Sequence, residues 1–174
     1  MHILRSVRCF RDDRASEIAE AALVLPLAFM VLLGIYWFGR AFNTYATINQ
    51  AAREGARVAV AQSCGNCGNA APSAATVAGV VSQTLQASSI DSGQVKSYKP
   101  AITACPGATS SCPTVNNVTV CTNVKLDTPP VSSGTPACGV VVSFQYPYQF
   151  WLPFTSLNNQ QIILTADVQM AGEY

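Results

Sequence analysis

The chain has 174 residues, a net charge of +1 and only 11% charged residues against 49% hydrophobic ones. So small a net charge excludes a broad electrostatic footprint for nucleic acid, and a charged fraction under half the roughly 25% of an ordinary soluble domain points to a chain that is exported, membrane-bound or packed against neighbours. The single histidine, His2, and the lack of a Gly-rich phosphate loop or dinucleotide fingerprint remove His-dependent catalysis, His-ligated metals and nucleotide chemistry, so no enzyme, cofactor or metal site is expected.

Residues 1–15 are basic, with Arg5, Arg8, Arg11 and Arg14 against Asp12 and Asp13. An apolar run follows. Ala21 to Gly39 gives 19 residues without a charge, close to the ~20 needed to cross a bilayer core. Glu20 stands at its start and Tyr36, Trp37 and Phe38 at its far end, where an aromatic belt belongs. The expected span is about 20–39. Four arginines precede it and only Arg40 follows closely, so residues 1–15 are expected in the cytoplasm and the remainder outside. The run is too long, and "IYWFGRAF" too bulky, for an ordinary cleaved secretory signal.

The helical pattern does not stop with the span. Ala41, Tyr45, Ile48, Ala52, Gly55 or Ala56, and Ala59 recur at helical steps, and Gly65 and Pro72 then break the pattern. A helix from about Glu17 to about Gln62 would be roughly 69 Å long at 1.5 Å per residue. The small positions Ala51, Gly55 and Ala59 permit close approach of a sheet or another helix, with packing inside the same chain the simpler expectation.

The order "RASEIAE", "ALVLPL", "FGRAF" and "AAREGAR" over residues 14–60 resembles the N-terminal signature of TadE-like pseudopilins, minor pilin-like proteins of the tight-adherence (Tad) type IV pilus machinery. The resemblance covers about a quarter of the chain; a weaker likeness to the family's closing strands lies in "VVVSFQYPY" and "IILTADVQM". It implies a prepilin-type leader cut by a membrane prepilin peptidase between Ala15 and Ser16, which makes Glu20 the fifth residue of the processed chain. Ala15 stands where the family usually has Gly, Ala21 where an aromatic often follows the Glu, and Trp37 where the family often has an acid. The resemblance further implies residence in the bacterial cytoplasmic membrane. Its implied partners are other pilins and pseudopilins, the Tad inner-membrane assembly platform and membrane lipid. Glu20 then has a physical role. A carboxylate at the edge of hydrocarbon is costly alone, and a neighbour's Ser16 ammonium would neutralise it and set helix register. The simpler reading leaves Glu20 at the headgroups beside Glu17.

Beyond Cys67, "SAATVAGVVSQTLQAS" predicts a second helix over about 73–88, with Ser73 as N-cap. Strand signals follow: "QVKSYKPAITA", broken by Pro100; "VNNVTVCTNVKL", alternating from Val118 to Lys125; then "CGVVVSFQYPYQF" and "QQIILTADVQM". "LDTPPVSSGTPA" and "LPFTSLNNQ" read as loops. The expected fold is α+β and pilin-like: leader 1–15, long helix 16–62, and an external domain 63–174 built on a small antiparallel sheet. Asn117-Val118-Thr119 matches a glycosylation sequon, a pattern common by chance.

Seven cysteines are present. With Cys9 in the leader, an even set remains for the exported part: Cys64, Cys67, Cys105, Cys112, Cys121 and Cys138. Local pairing joins Cys64 with Cys67, Cys105 with Cys112, and Cys121 with Cys138. "CGNC" also fits a redox CxxC, though that chemistry wants the motif at a helix start after a strand. Four-thiolate zinc is disfavoured because the second pair lacks CxxC spacing. In "FQYPYQFWLPF", alternation puts Phe144, Tyr146, Tyr148 and Phe150 on one strand face, expected to be core, while Trp151, Pro153 and Phe154 form a candidate docking patch, the Tyr-Pro and Leu-Pro steps favouring a projecting loop. These features support a minor pilin or pseudopilin. The rivals are an uncleaved membrane-anchored binding or adhesin module and an exported thiol–disulfide enzyme.

Overall fold

The computed structural model describes residues 13–61, 72–126, 137–149 and 161–172. The chain divides into two compact units between Arg40 and Ala41. Helix α1, Asp13–Val60, supplies residues to both. In the first unit, Pro26 sits inside the helix rather than at its start and takes an amide donor away from the Ala22 carbonyl. From Ala21 to Leu33 the side chains are exposed, although this stretch is apolar on every face.

The second unit contains the rest of α1, helix α2 (Ala74–Ala87), a single 3₁₀ turn (Ser92–Gln94) and four strands: β1 (Thr114–Val115), β2 (Val118–Lys125), β3 (Cys138–Gln149) and β4 (Gln161–Ala171). The Ser73 hydroxyl caps α2 by accepting from the Thr76 amide at 3.2 Å, as its sequence predicts. The sheet is an antiparallel meander in the order β1-β2-β3-β4. With α1 against it, this is an α+β fold.

One sheet face carries the main core. Val118, Val120, Val140, Val142, Phe144 and Ala166 bury against Ile48, Ala52 and Ala56 of α1 and Val77, Val81 and Leu85 of α2. The buried stripe of α1 begins at Ile48; Tyr45, expected on it, is 48% exposed. Gly55 has a steric reason. A Cβ there would lie 2.6 Å from Val81 Cγ2, 3.5 Å from Val77 Cγ1 and 3.6 Å from Val142 Cγ1. The small stripe Ala51, Gly55 and Ala59 is thus buried within the chain's own core.

The other face buries Cys121, Val124 and Val141 beneath Ile102 and Cys112. A bulge makes this pattern. Cys121 pairs with Val141 and Val124 with Gly139, so β2 holds one extra residue there, with Asn123 at φ 57°. The bulge returns Val124 to the face of Cys121, where strict alternation would put Asn123. Asn116 and Asn117, at φ 49° and 63°, form a two-residue hairpin loop of the I′ kind between Val115 and Val118. This hairpin accounts for the sequon, since Asn117 Nδ2 already donates to the Val95 carbonyl and Thr119 is buried against Thr114.

Two expectations change. "QVKSYKPAITA" forms no named strand: Lys96 exchanges two backbone bonds with Gln145, and past Pro100 only an isolated Ala104–Val124 bridge follows. The Tyr-Pro step, expected to favour a projecting loop, lies inside β3, where Pro147 pairs with Ile163. Gln145 meets Lys96 on the β2 side of β3. Pro147, two residues on, faces that same margin beyond the end of β2, where its missing N–H costs no ladder bond.

Candidate functional site

The site that sequence reasoning marks is the N-terminal part of α1. Ala15 and Ser16 fall in its first turn. Glu17 and Glu20, three residues apart and both exposed, share one helix face. No further acid or base occurs until Arg40. The apolar window has a mean hydropathy of 2.4 and none of it is buried. Tyr36 and Trp37 close it, their rings edge to face with centroids 5.4 Å apart and planes at 79°. An exposed helix of this length and hydropathy is compatible with a membrane anchor.

The disulfides differ from the local pairing expected. Cys105 bonds Cys138, and Cys112 bonds Cys121. The Asn116–Asn117 hairpin explains the second bond. It folds the chain back so that Ser111 bridges Thr122, bringing Cys112 and Cys121 to a Cα separation of 4.1 Å. Cys105 instead runs beside the far end of β2, its amide bonded to the Asn123 carbonyl, and Lys125 there pairs with Cys138. The Cα separation of Cys105 and Cys138 is 6.0 Å. Cys121 cannot reach Cys138 because it sits opposite Val141, three residues and about 10 Å along β3. The signal that finds this connectivity is "VNNV", a hairpin loop of two residues able to adopt positive φ. These four cysteines are disulfide-bonded and offer no thiolates to zinc. Among the described residues no group of three or more potential ligands is placed to hold a metal.

Cys64 and Cys67, and with them the CxxC, lie outside the described residues, as do Phe150 and the candidate patch Trp151, Pro153 and Phe154. Of the aromatic run, Phe144 is core, Tyr146 packs half-buried against it, and Tyr148 is buried. Burial, and then the nearby Asp91 carboxylate, hold the Tyr146 phenol above its ordinary value.

Residues 16–57 match the family model described as TadE-like protein. No curated protein and no solved structure matches the chain. The matched segment starts at Ser16, includes Glu20 and the whole apolar run, and ends at Arg57 within the buried stripe. That segment is thus similar to the TadE-like family, the pilin-like group its N-terminal motifs resemble.

Proposed function

We propose that this chain is a minor pilin or pseudopilin that takes part in assembling a Tad-type IV pilus through helix–helix packing. One observation carries the reading: along α1 the side chains are apolar and exposed from Ala21 to Leu33, yet a stripe of the same helix is core from Ile48 to Ala59. An apolar surface of that length needs lipid or partner helices. Before assembly it anchors the chain in the cytoplasmic membrane, single-pass, with residues 1–15 inside. During assembly it exchanges lipid for the helices of neighbouring pilins.

In this reading a prepilin peptidase cuts between Ala15 and Ser16. The new Ser16 ammonium meets Glu20 of an adjacent copy or pilin, and neutralisation at the hydrocarbon edge removes the cost of a lone carboxylate. Trp151, Pro153 and Phe154 would present a contact to a neighbour or to the membrane surface. The Tad inner-membrane platform would be the site of assembly.

N-terminal sequencing of the membrane-extracted protein tests the processing step. A chain beginning at Ser16 supports it. A chain retaining Met1 in piliated cells overturns it in favour of an uncleaved, membrane-anchored binding module, the reading that Ala15 in the usual glycine position favours.

A further inference from the structure

We propose that the second unit carries a binding cleft for one ring of an uncharged saccharide, between α2, the 3₁₀ turn and the Asn116–Asn117 hairpin. The cleft has a volume of about 410 Å³, within the roughly 300–1,000 Å³ usual for small-molecule sites. Its floor is aliphatic: Val81, Leu85, Val95 and Val118 line it and are buried. Its rim is formed by Ser82, Gln86, Ser92, Asn116 and Asn117. No lining residue is ionisable.

The rim is held in place before any ligand arrives. Gln86 Nε2 donates to Ser92 Oγ at 3.1 Å, which leaves Gln86 Oε1 as an acceptor and the Ser92 proton as a donor. Asn117 Nδ2 donates to the Val95 carbonyl at 2.9 Å and keeps its Oδ1 as an acceptor. The Gly93 amide donates to Asp91 Oδ1 at 2.9 Å, which fixes the 3₁₀ turn. Asn116 and Asn117 occupy the left-handed region that a hairpin loop demands and that asparagine tolerates. A rim already ordered loses little side-chain entropy on binding.

The chemistry of the lining selects the ligand. With no charged side chain in the cleft, an ionised ligand would exchange water for uncharged amides and hydroxyls alone, with no opposite charge to offset its desolvation. A wholly apolar guest would strip water from five polar side chains without replacing their bonds. A peptide offers one N–H and one C=O per residue, spaced along an extended backbone. Vicinal ring hydroxyls each donate and accept within a short perimeter, which the mixed amide and hydroxyl rim can match. This inference is independent of the assembly reading.

Saturation-transfer NMR tests it, using the full chain in a zwitterionic detergent that has no sugar headgroup. The probes are the methyl glycosides of glucose, galactose, mannose and N-acetylglucosamine, with N-acetylneuraminic acid as the charged control and N-acetyl-leucine methylamide as the peptide control. At least one neutral glycoside should bind, and both controls should bind more weakly. Gln86→Ala, at an exposed helical position where alanine is favourable, and Asn116→Asp, which keeps a residue tolerant of positive φ, should each weaken that binding about tenfold while near-UV circular dichroism stays unchanged. No saturation transfer to any neutral glycoside overturns the proposal. So does binding that survives both substitutions, or stronger binding of either control.

Discussion

Gly55→Ala gives a test of the packing between α1 and α2 in which the sign of the effect is diagnostic. In an unhindered helix interior the change stabilises by about 1 kcal/mol. Here the added carbon would sit 2.6 Å from Val81 Cγ2, about 1 Å inside ordinary carbon contact. Val81 is β-branched and stiff at χ1 in α2, so relief must come largely from backbone movement. Overpacking of this kind costs about 1–3 kcal/mol, and the stiff neighbour puts the site in the upper half of that range. The net expectation is a loss of about 1–2 kcal/mol. In a Val81→Ala background the offending methyl is gone, and the same substitution should stabilise by about 1 kcal/mol. The coupling between the two sites is then about 2–3 kcal/mol, well above additivity error. Guanidinium unfolding of the full chain in micelles, followed by near-UV circular dichroism, measures all four corners of the cycle. Equal stabilisation by Gly55→Ala in both backgrounds would refute the argument.

Three further expectations follow from the same structure. Glu20→Ala should leave the protein in the membrane fraction but remove it from sheared pili and abolish assembly, read by immunoblot of both fractions; normal incorporation would end the pairing proposal for Glu20. Peptide mapping without reductant should find Cys105 joined to Cys138 and Cys112 to Cys121, and removing the two bonds singly should cost about 3.7 and about 2.6 kcal/mol for separations of 33 and 9 residues. Because burial and Asp91 raise the Tyr146 phenol above 10.0, the unfolded chain ionises first as pH rises. The associated stability is fully present below pH 10 and is lost as pH climbs through the higher folded value. Tyr146→Phe should flatten that alkaline loss in unfolding curves taken across pH 9 to 12, a window of about three units around the phenol's ordinary value.

The helical parts were legible because their signals are local and periodic. Nineteen uncharged residues mark the exposed apolar part of α1, Ser73 marks the start of α2, and the Ala51–Gly55–Ala59 spacing marks the close-packed stripe. β3 and β4 announce themselves by β-branched runs. What sequence reading missed depends on backbone geometry that composition does not show. The Asn123 bulge shifts β2 by one residue and so changes which side chains are buried. Pro147, paired with Ile163 on its β4 side, is accommodated only because its other margin lies beyond the end of β2. The disulfide pairing is not legible locally, because the hairpin between Val115 and Val118 makes proximity in space differ from proximity along the chain. The cleft beside α2 likewise draws on three separated stretches, none of which carries a chemical motif by itself.

The nested disulfides also constrain how the chain matures. Cys105, Cys112, Cys121 and Cys138 become available in that order as the polypeptide emerges amino-terminus first. Of these four, the first to follow Cys105 is Cys112, its wrong partner. Correct oxidation therefore depends on a race: the Asn116–Asn117 reversal must deliver Cys121 to Cys112 before an oxidant seals the earlier pair. Where the race is lost, only thiol exchange can recover the native bonds, so the yield of correctly bonded protein should rise with a disulfide-shuffling catalyst.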